Sequence, residues 1–522
     1  EKSGNSIIRH AVYHEQNKHS VYCWGILAGL HTAEFLVMLS EMKGCFILQR
    51  RFAYIGHELA ILLKEKHGVD ELCAYVHLRS SYDFLAGQKD IPYTDLILDE
   101  EIQKQYKSEK LDVAYLEKLE QEYGSVWKFI GVDRVIRYGQ LVREYPYNTS
   151  PYTHEEMLRM VQVYAKEFVT FLDREKPDFI FSYQPGALGS LLFHAIARKR
   201  GIPVLSVTFP LIRNRIAVSE RYERWSGLEE MLKKYLDIPV ERVPGYEKAR
   251  ALIREFRNKP SVYSDVYISL VKYGTWRQFD FLLPQKLLWT LYYNIYGIFA
   301  DWRGNADRRT DYTTIHPGWH LFDTTKRKLR NLRGVDDLYD VFNPDKPFTF
   351  YPLHYEPELA LLLWAPFDTD QIAIVKRVAQ SLPVGMYLYV KEHPQMTVYR
   401  PRSFYKELKK IPNVRLLRPE IPSFDIIRKC RLVTIVSGAI GWEASLLGKP
   451  VITFGDIFYN SFSSVARSRV PEELPALVRS QLERGHTNDE DLTRFVAALL
   501  EDSAECDLLY LWEVEKDRAK AR

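Results

Sequence analysis

Three segments in the second half of this 522-residue chain end apolar runs in groups suited to holding a phosphate. The first spans residues 432–455, LVTIVSGAIGWEASLLGKPVITFG. An apolar run enters Ser437-Gly438-Ala439-Ile440-Gly441, after which a helix is expected over 441–447. Gly438 and Gly441 permit tight backbone geometry and close approach of a ligand. A helix N-terminus offers unpaired N–H groups and partial positive charge, which suit an anion. The Ser437 hydroxyl would add a donor, and Glu443, in the first turn, would reach ribose hydroxyls. A plainer reading is that the glycines let strand and helix pack while Glu443 complements the helix dipole.

The second segment is Tyr389-Val390-Lys391-Glu392-His393-Pro394. Pro394 holds the preceding residue extended, which leaves the His393 imidazole at the carboxyl edge of a sheet with Lys391 adding charge nearby. His316-Pro317 has the dipeptide without the strand and serves as a control. The third segment, Tyr351-Pro352-Leu353-His354-Tyr355-Glu356-Pro357-Glu358, contributes His354 and Glu356. Three strand ends of one domain thus carry groups apt for a phosphorylated ligand. In the first half, residues 50–58 follow an early strand, and His57 or Glu58 is the candidate general base for an attacking hydroxyl. Gly56-His57-Glu58 also reads simply as the start of a helix. Residues 182–186 would line the acceptor side, and Arg213 and Arg215 would face an anionic acceptor or water.

The elements that must position these groups alternate. Strands are expected at 44–49, 72–77, 95–98, 178–182 and 203–209, with helices at 56–66, 154–175 and 187–199. The second half repeats the pattern, with strands at 348–351, 386–391, 414–417, 432–436 and 451–454. Continuous apolar strands alternating with helices indicate parallel sheets covered on both faces. The fold class is therefore α/β, with two doubly wound, Rossmann-like domains facing a cleft. The expected division is a 1–41 extension outside the core, an acceptor-side domain at 42–260 and a bridging segment at 261–340. A nucleotide-sugar domain at 341–470 and closing helices at 471–522 complete it. The aromatic-rich stretch 281–302 is broken by Pro284, Gln285 and Lys286, so it reads as a buried bridging helix rather than a membrane span. The alternative is a helix lying on a membrane surface.

Composition narrows the field. With 46% hydrophobic and 27% charged residues, the chain is neither collagenous, disordered nor a small disulfide scaffold. A net charge of +4 is too balanced to indicate a nucleic-acid partner. The 5 cysteines show no metal-ligand spacing and suit a reducing cytoplasm. His10, His14, His19 and His31 are read as incidental, and the apolar run 21–30 is too short to cross a bilayer.

The motifs at 391–394, 412–414, 437–444 and 448–452 resemble those of bacterial surface-polysaccharide glycosyltransferases of GT-B fold, the capsule and Kdo-transferase-like group. The resemblance covers about 351–458. It implies that the C-terminal domain binds a nucleotide-sugar donor and the N-terminal domain a glycan or lipid-linked glycan acceptor. It places His393 and Ser437 at the donor phosphate and Glu443 at the ribose, and its His-Pro motif favours a CMP-linked sugar. No cofactor is expected, and no Asp-x-Asp clamp suggests a metal. A non-hydrolysing nucleotide-sugar epimerase and a non-catalytic sugar-nucleotide-binding assembly protein are the alternatives.

Overall fold

The computed structural model describes residues 42–48, 52–138, 150–263, 283–297, 299, 303, 317–396 and 399–513. The expected 1–41 extension, Arg50 and Arg51 lie outside them.

Apolar runs become strands buried on both faces. In the first half these are β1 (Lys43–Leu48), β2 (Glu71–Val76), β3 (Tyr93–Leu98), β4 (Phe179–Tyr183) and β5 (Val204–Thr208). β1 lies between β2 and β4, with Cys45 opposite both Cys73 and Ile180, and all pairings among these five strands are parallel. One core covers one face, with Tyr75, Phe168 and Phe193. Another covers the opposite face with Phe46, Phe52 and Leu72. Two further short strands escaped the apolar pattern. β6 (Arg215–Ser219) pairs antiparallel with β5, and β13 (Ala504–Glu505), from the end of the chain, pairs antiparallel with β6.

The second sheet contains β7 (Phe348–Pro352), β8 (Tyr387–Lys391), β9 (Val414–Leu417), β10 (Leu432–Ile435), β11 (Val451–Thr453) and β12 (Val465–Arg467). Its order is β12-β11-β10-β7-β8-β9, parallel throughout. The chain moves outward from β7 to β9 and returns on the other side of β7 as β10. That reversal opens a crevice at the carboxyl ends of β7 and β10, the place where open α/β sheets bind ligands. The fold is thus two doubly wound α/β units.

Local signals set the helices. Helix His154–Glu175 opens with a capping box, in which Thr153 N–H donates to Glu156 Oε2 at 2.8 Å and Glu156 N–H to Thr153 Oγ1 at 3.3 Å. Gly201, at φ 77°, follows helix Leu188–Lys199 in the left-handed conformation that suits glycine.

The structure redraws the divisions expected from sequence. Helices Ser226–Leu236 and Tyr246–Asn258, grouped with the first domain by position, share a core with the second sheet. Leu228 and Ile253 pack there with Phe350, Val433, Trp442 and Phe495. Of the closing helices, Leu474–Arg484 covers the opposite face of that sheet, whereas Asp489–Glu501 joins the 226–258 pair before the chain returns to β13. The bridging segment also differs from expectation: along Pro284–Leu291 and Tyr292–Gly297, Leu288 is 69% and Trp289 70% exposed, not buried.

The carboxyl edges of the two sheets face each other. A methyl group at Gly186, just after β4, would lie 3.1 Å from Leu359, just after β7. Leu362 and Leu363 enter the first unit's core, and Arg137 Nη2 donates to Thr369 Oγ1 at 3.5 Å.

Candidate functional site

At the β7/β10 crevice the backbone turns sharply. Gly438 has φ 107°, a region that a side chain strains, and a Cβ there would lie 3.4 Å from His354 Cε1. Helix Ala439–Leu446 opens directly after it without a side-chain cap. Gly438, Ala439 and Ile440 are partly exposed, and the unpaired N–H groups of an uncapped first turn suit an anion. Because the helix starts at Ala439, Glu443 lies in its second turn rather than its first. It is therefore too far along to serve mainly as a dipole partner.

The expected donor ligands separate into two groups. Ser437 is fully buried, and its hydroxyl donates to Ala360 O at 2.6 Å. Its expected donation to a ligand gives way to a structural one. Its N–H points at His354 Nε2 at 3.5 Å, which ties the β7 and β10 loops together. Glu356 is likewise buried, 3.0 Å from Arg400 Nη2, and accepts from Gln371 Nε2. Gln371 Oε1 in turn accepts from the His354 N–H at 2.7 Å. Ser437, His354 and Glu356 thus shape the crevice floor.

His393, Lys391 and Glu443 form the second group. His393 is half-buried and its Nδ1 accepts the Gln395 N–H at 3.3 Å, so the ring proton sits on Nε2. Burial, with Arg400 and Lys391 nearby, lowers its pKa to about 4, leaving a neutral N–H donor at pH 7. Lys391 donates to Ser423 Oγ at 2.9 Å. Burial draws its ammonium down to about 8, against the pull of Glu420, Glu392 and Glu443. Burial pushes the Glu443 carboxyl up to about 7, with Lys391 opposing. Together the three offer one ammonium, one neutral imidazole donor and one easily protonated carboxyl.

Sequence reasoning missed the scaffold behind them. Arg400 is completely buried, donates to His354 O at 2.8 Å and pairs with Glu392. Burial works against its charge, but Glu392 and Glu356 hold the guanidinium protonated. Glu392 accepts the His393 N–H at 2.6 Å and the Tyr405 hydroxyl at 2.8 Å. One guanidinium therefore anchors both histidine loops. Arg400 itself gave no signal in the sequence, although its partners Glu392, His354 and Glu356 lie in the motifs read there.

The candidate bases of the first half fare differently. The helix expected to begin at Gly56 begins at Phe52, so His57 lies in its second turn. His57 is buried with Nδ1 3.0 Å from the hydroxyl of Tyr93, which opens β3 at the amino end of the sheet. Glu58 is buried beside it. The structure thus places both in the N-terminal core, away from the carboxyl edge. Arg215 staples β6 to the end of the chain, with Nη2 2.8 Å from Leu500 O and Nε 2.9 Å from Ser503 Oγ, rather than facing an acceptor. Gln184 Nε2 donates to Thr208 Oγ1 at 3.0 Å.

Comparison with known proteins bears on this lobe. Residues 318–472 match the family described as "Capsule polysaccharide biosynthesis protein". Two curated proteins are similar to part of the chain. It is 31% identical over 150 residues to Protein FixF of Sinorhizobium fredii, covering 28% of this chain and 35% of that protein. The capsule polysaccharide modification protein LipA of Neisseria meningitidis is 24% identical over 154 residues, covering 30% of this chain and 22% of LipA. The chain thus spans well under half the length of these curated relatives. Among solved structures, the β-Kdo 2,7 transferase KpsC of Thermosulfurimonas dismutans covers 64% of this chain and 80% of its own, at 15% identity and TM-score 0.35. The UDP-GlcNAc 2-epimerase of N. meningitidis covers 88% and 96%, at 13% identity and TM-score 0.27.

Proposed function

We infer that this protein is a glycosyltransferase of capsule or related surface-polysaccharide biosynthesis. It transfers a sugar from a nucleotide donor held in the β7/β10 crevice. The observation that carries the reading is the uncapped helix at Ala439 facing the two-histidine loops at the chain reversal. Its N–H groups, the His393 Nε2–H and the Lys391 ammonium would receive the donor phosphate. They would stabilise its charge as the sugar leaves, without requiring a metal. Glu443 would accept ribose hydroxyls. The His-Pro motif favours a CMP-linked sugar, and the glycan acceptor would lie at the opposing edge around Gly186.

A thermal-shift screen of CMP, UDP and GDP with their sugars tests the reading, since a ligand selective for the folded state raises the melting temperature. One nucleotide should stabilise the protein, and His393→Ala should weaken its binding about tenfold, the value of one lost charge-assisted hydrogen bond, without unfolding the chain. No shift with any nucleotide would reject the donor site.

Peripheral membrane contact belongs to the same reading. No helix among the described residues is long and apolar enough to cross a membrane. Yet exposed Leu288, Trp289, Tyr292, Ile295 and Tyr296 precede a helix, Pro317–Arg333, that carries Lys326, Arg327, Arg330 and Arg333. Exposed apolar and aromatic side chains, with basic residues further along the chain, suit an anionic bilayer surface. The protein should float with anionic liposomes at low salt and lose that affinity on Trp289→Ser with Leu288→Ser. Failure to float would remove the membrane from the proposal.

A further inference from the structure

A transferase of this kind needs a group to take the proton of the attacking hydroxyl, and the expected bases, His57 and Glu58, are buried in the first unit. The cleft itself offers another carboxylate. Glu358 lies on the loop after β7, directly before Leu359, whose side chain abuts the Gly186 turn of the opposing sheet edge. Two residues on, Ala360 O receives the Ser437 hydroxyl beneath the crevice floor. Glu358 thus stands where the donor crevice meets the acceptor edge.

Its surroundings suit a proton acceptor. The residue is exposed, yet desolvation alone raises its carboxyl to about 7. Glu358 occupies the N-cap of the short helix Leu359–Leu362, but its side chain makes no cap hydrogen bond. Among the described residues its carboxylate has no hydrogen-bond or ion-pair partner and no charged neighbour that offsets its desolvation. Glu443, the other carboxyl of similar character, faces Lys391 and Tyr459 inside the crevice.

We propose that Glu358 is the general base of the transfer, taking the acceptor hydroxyl's proton at the mouth of the donor crevice. This rests on the glycosyltransferase reading above. The hydroxyl oxygen bonds to the donor's anomeric carbon while the bond from that carbon to the phosphate oxygen breaks. The bonding pair leaves on the nucleotide phosphate, and the proton ends on the Glu358 carboxylate, from which water removes it.

Wild type, Glu358→Gln and Glu358→Asp separate the possibilities. Nucleotide-sugar affinity is measured by calorimetry, and nucleotide release is followed across pH with water and with capsular oligosaccharide as acceptors. Glu358→Gln should bind the donor as wild type does but release nucleotide about 10²–10⁴-fold more slowly, the usual contribution of a general base. The wild-type rate should fall as pH drops below about 7, where the carboxyl gains its proton, and the variant should lack that limb. Glu358→Asp should recover part of the rate. Near-wild-type turnover with the limb intact, or a loss of donor affinity in Glu358→Gln, overturns the assignment while the donor site stands. A wild type that binds no nucleotide sugar overturns the donor reading, and the base with it.

Discussion

Several residues chosen for their chemistry have structural work, and one backbone angle shows how finely the crevice is set. At φ 107° Gly438 lies where a side chain is strained, and its carbonyl accepts the Tyr459 hydroxyl at 2.7 Å. Gly438→Ala should cost about 1–3 kcal/mol from that conformation, and its new methyl would press on His354. The helix entry would shift with it, so nucleotide affinity should fall beside stability. Denaturant titration reads the first effect and calorimetry the second; an unchanged unfolding midpoint would show that the turn tolerates a side chain. Residue type and spacing singled out His393 and Lys391 as candidates because both lie in one contiguous motif. Arg400 and Gln371 stayed hidden because their partners, Glu356 and His354, come from elsewhere in the chain, and only packing brings them together.

At the scale of elements, apolar runs located the strands well because parallel strands covered on both faces carry long hydrophobic stretches. The short strands β6, β12 and β13 lack such runs, and β13 pairs with a strand from the first half of the chain, so periodicity does not disclose them. Helix starts were read late at Phe52 and Ala439, and those small errors moved His57 by about a turn and Glu443 by about half a turn. The junction after helix Asp489–Glu501 yields its own prediction. Asp502 is buried, and its carboxylate receives the Leu228 N–H at the start of helix Ser226–Leu236. Burial, aided by Glu230, raises its pKa from 3.8 to about 8. The folded chain therefore keeps a proton that the unfolded chain has lost across that interval, and stability declines as pH rises from about 4 to about 8. Asp502→Asn keeps an acceptor for the N–H without the buried charge. Its melting temperature should exceed wild type at about pH 9 and converge with it at about pH 4. A difference that does not change with pH would place the effect elsewhere.

Across the whole molecule, the two-unit α/β plan was evident from alternation alone, whereas its partition was not. Linear order assigned residues 226–258 to the first unit because nothing in their composition marks a change of allegiance. The apolar faces of these helices decide otherwise by filling the second sheet's core with Asp489–Glu501. The C-terminal lobe is thus built from pieces on both sides of the bridging segment, and β13 then fastens the tail to the first sheet. Cutting at residue 340 to isolate the C-terminal half would leave Trp442 and Phe495 facing water and the fragment prone to aggregate. An autonomous fragment would have to run from about Trp225 to Glu501 and carry the exposed aromatic helix with it.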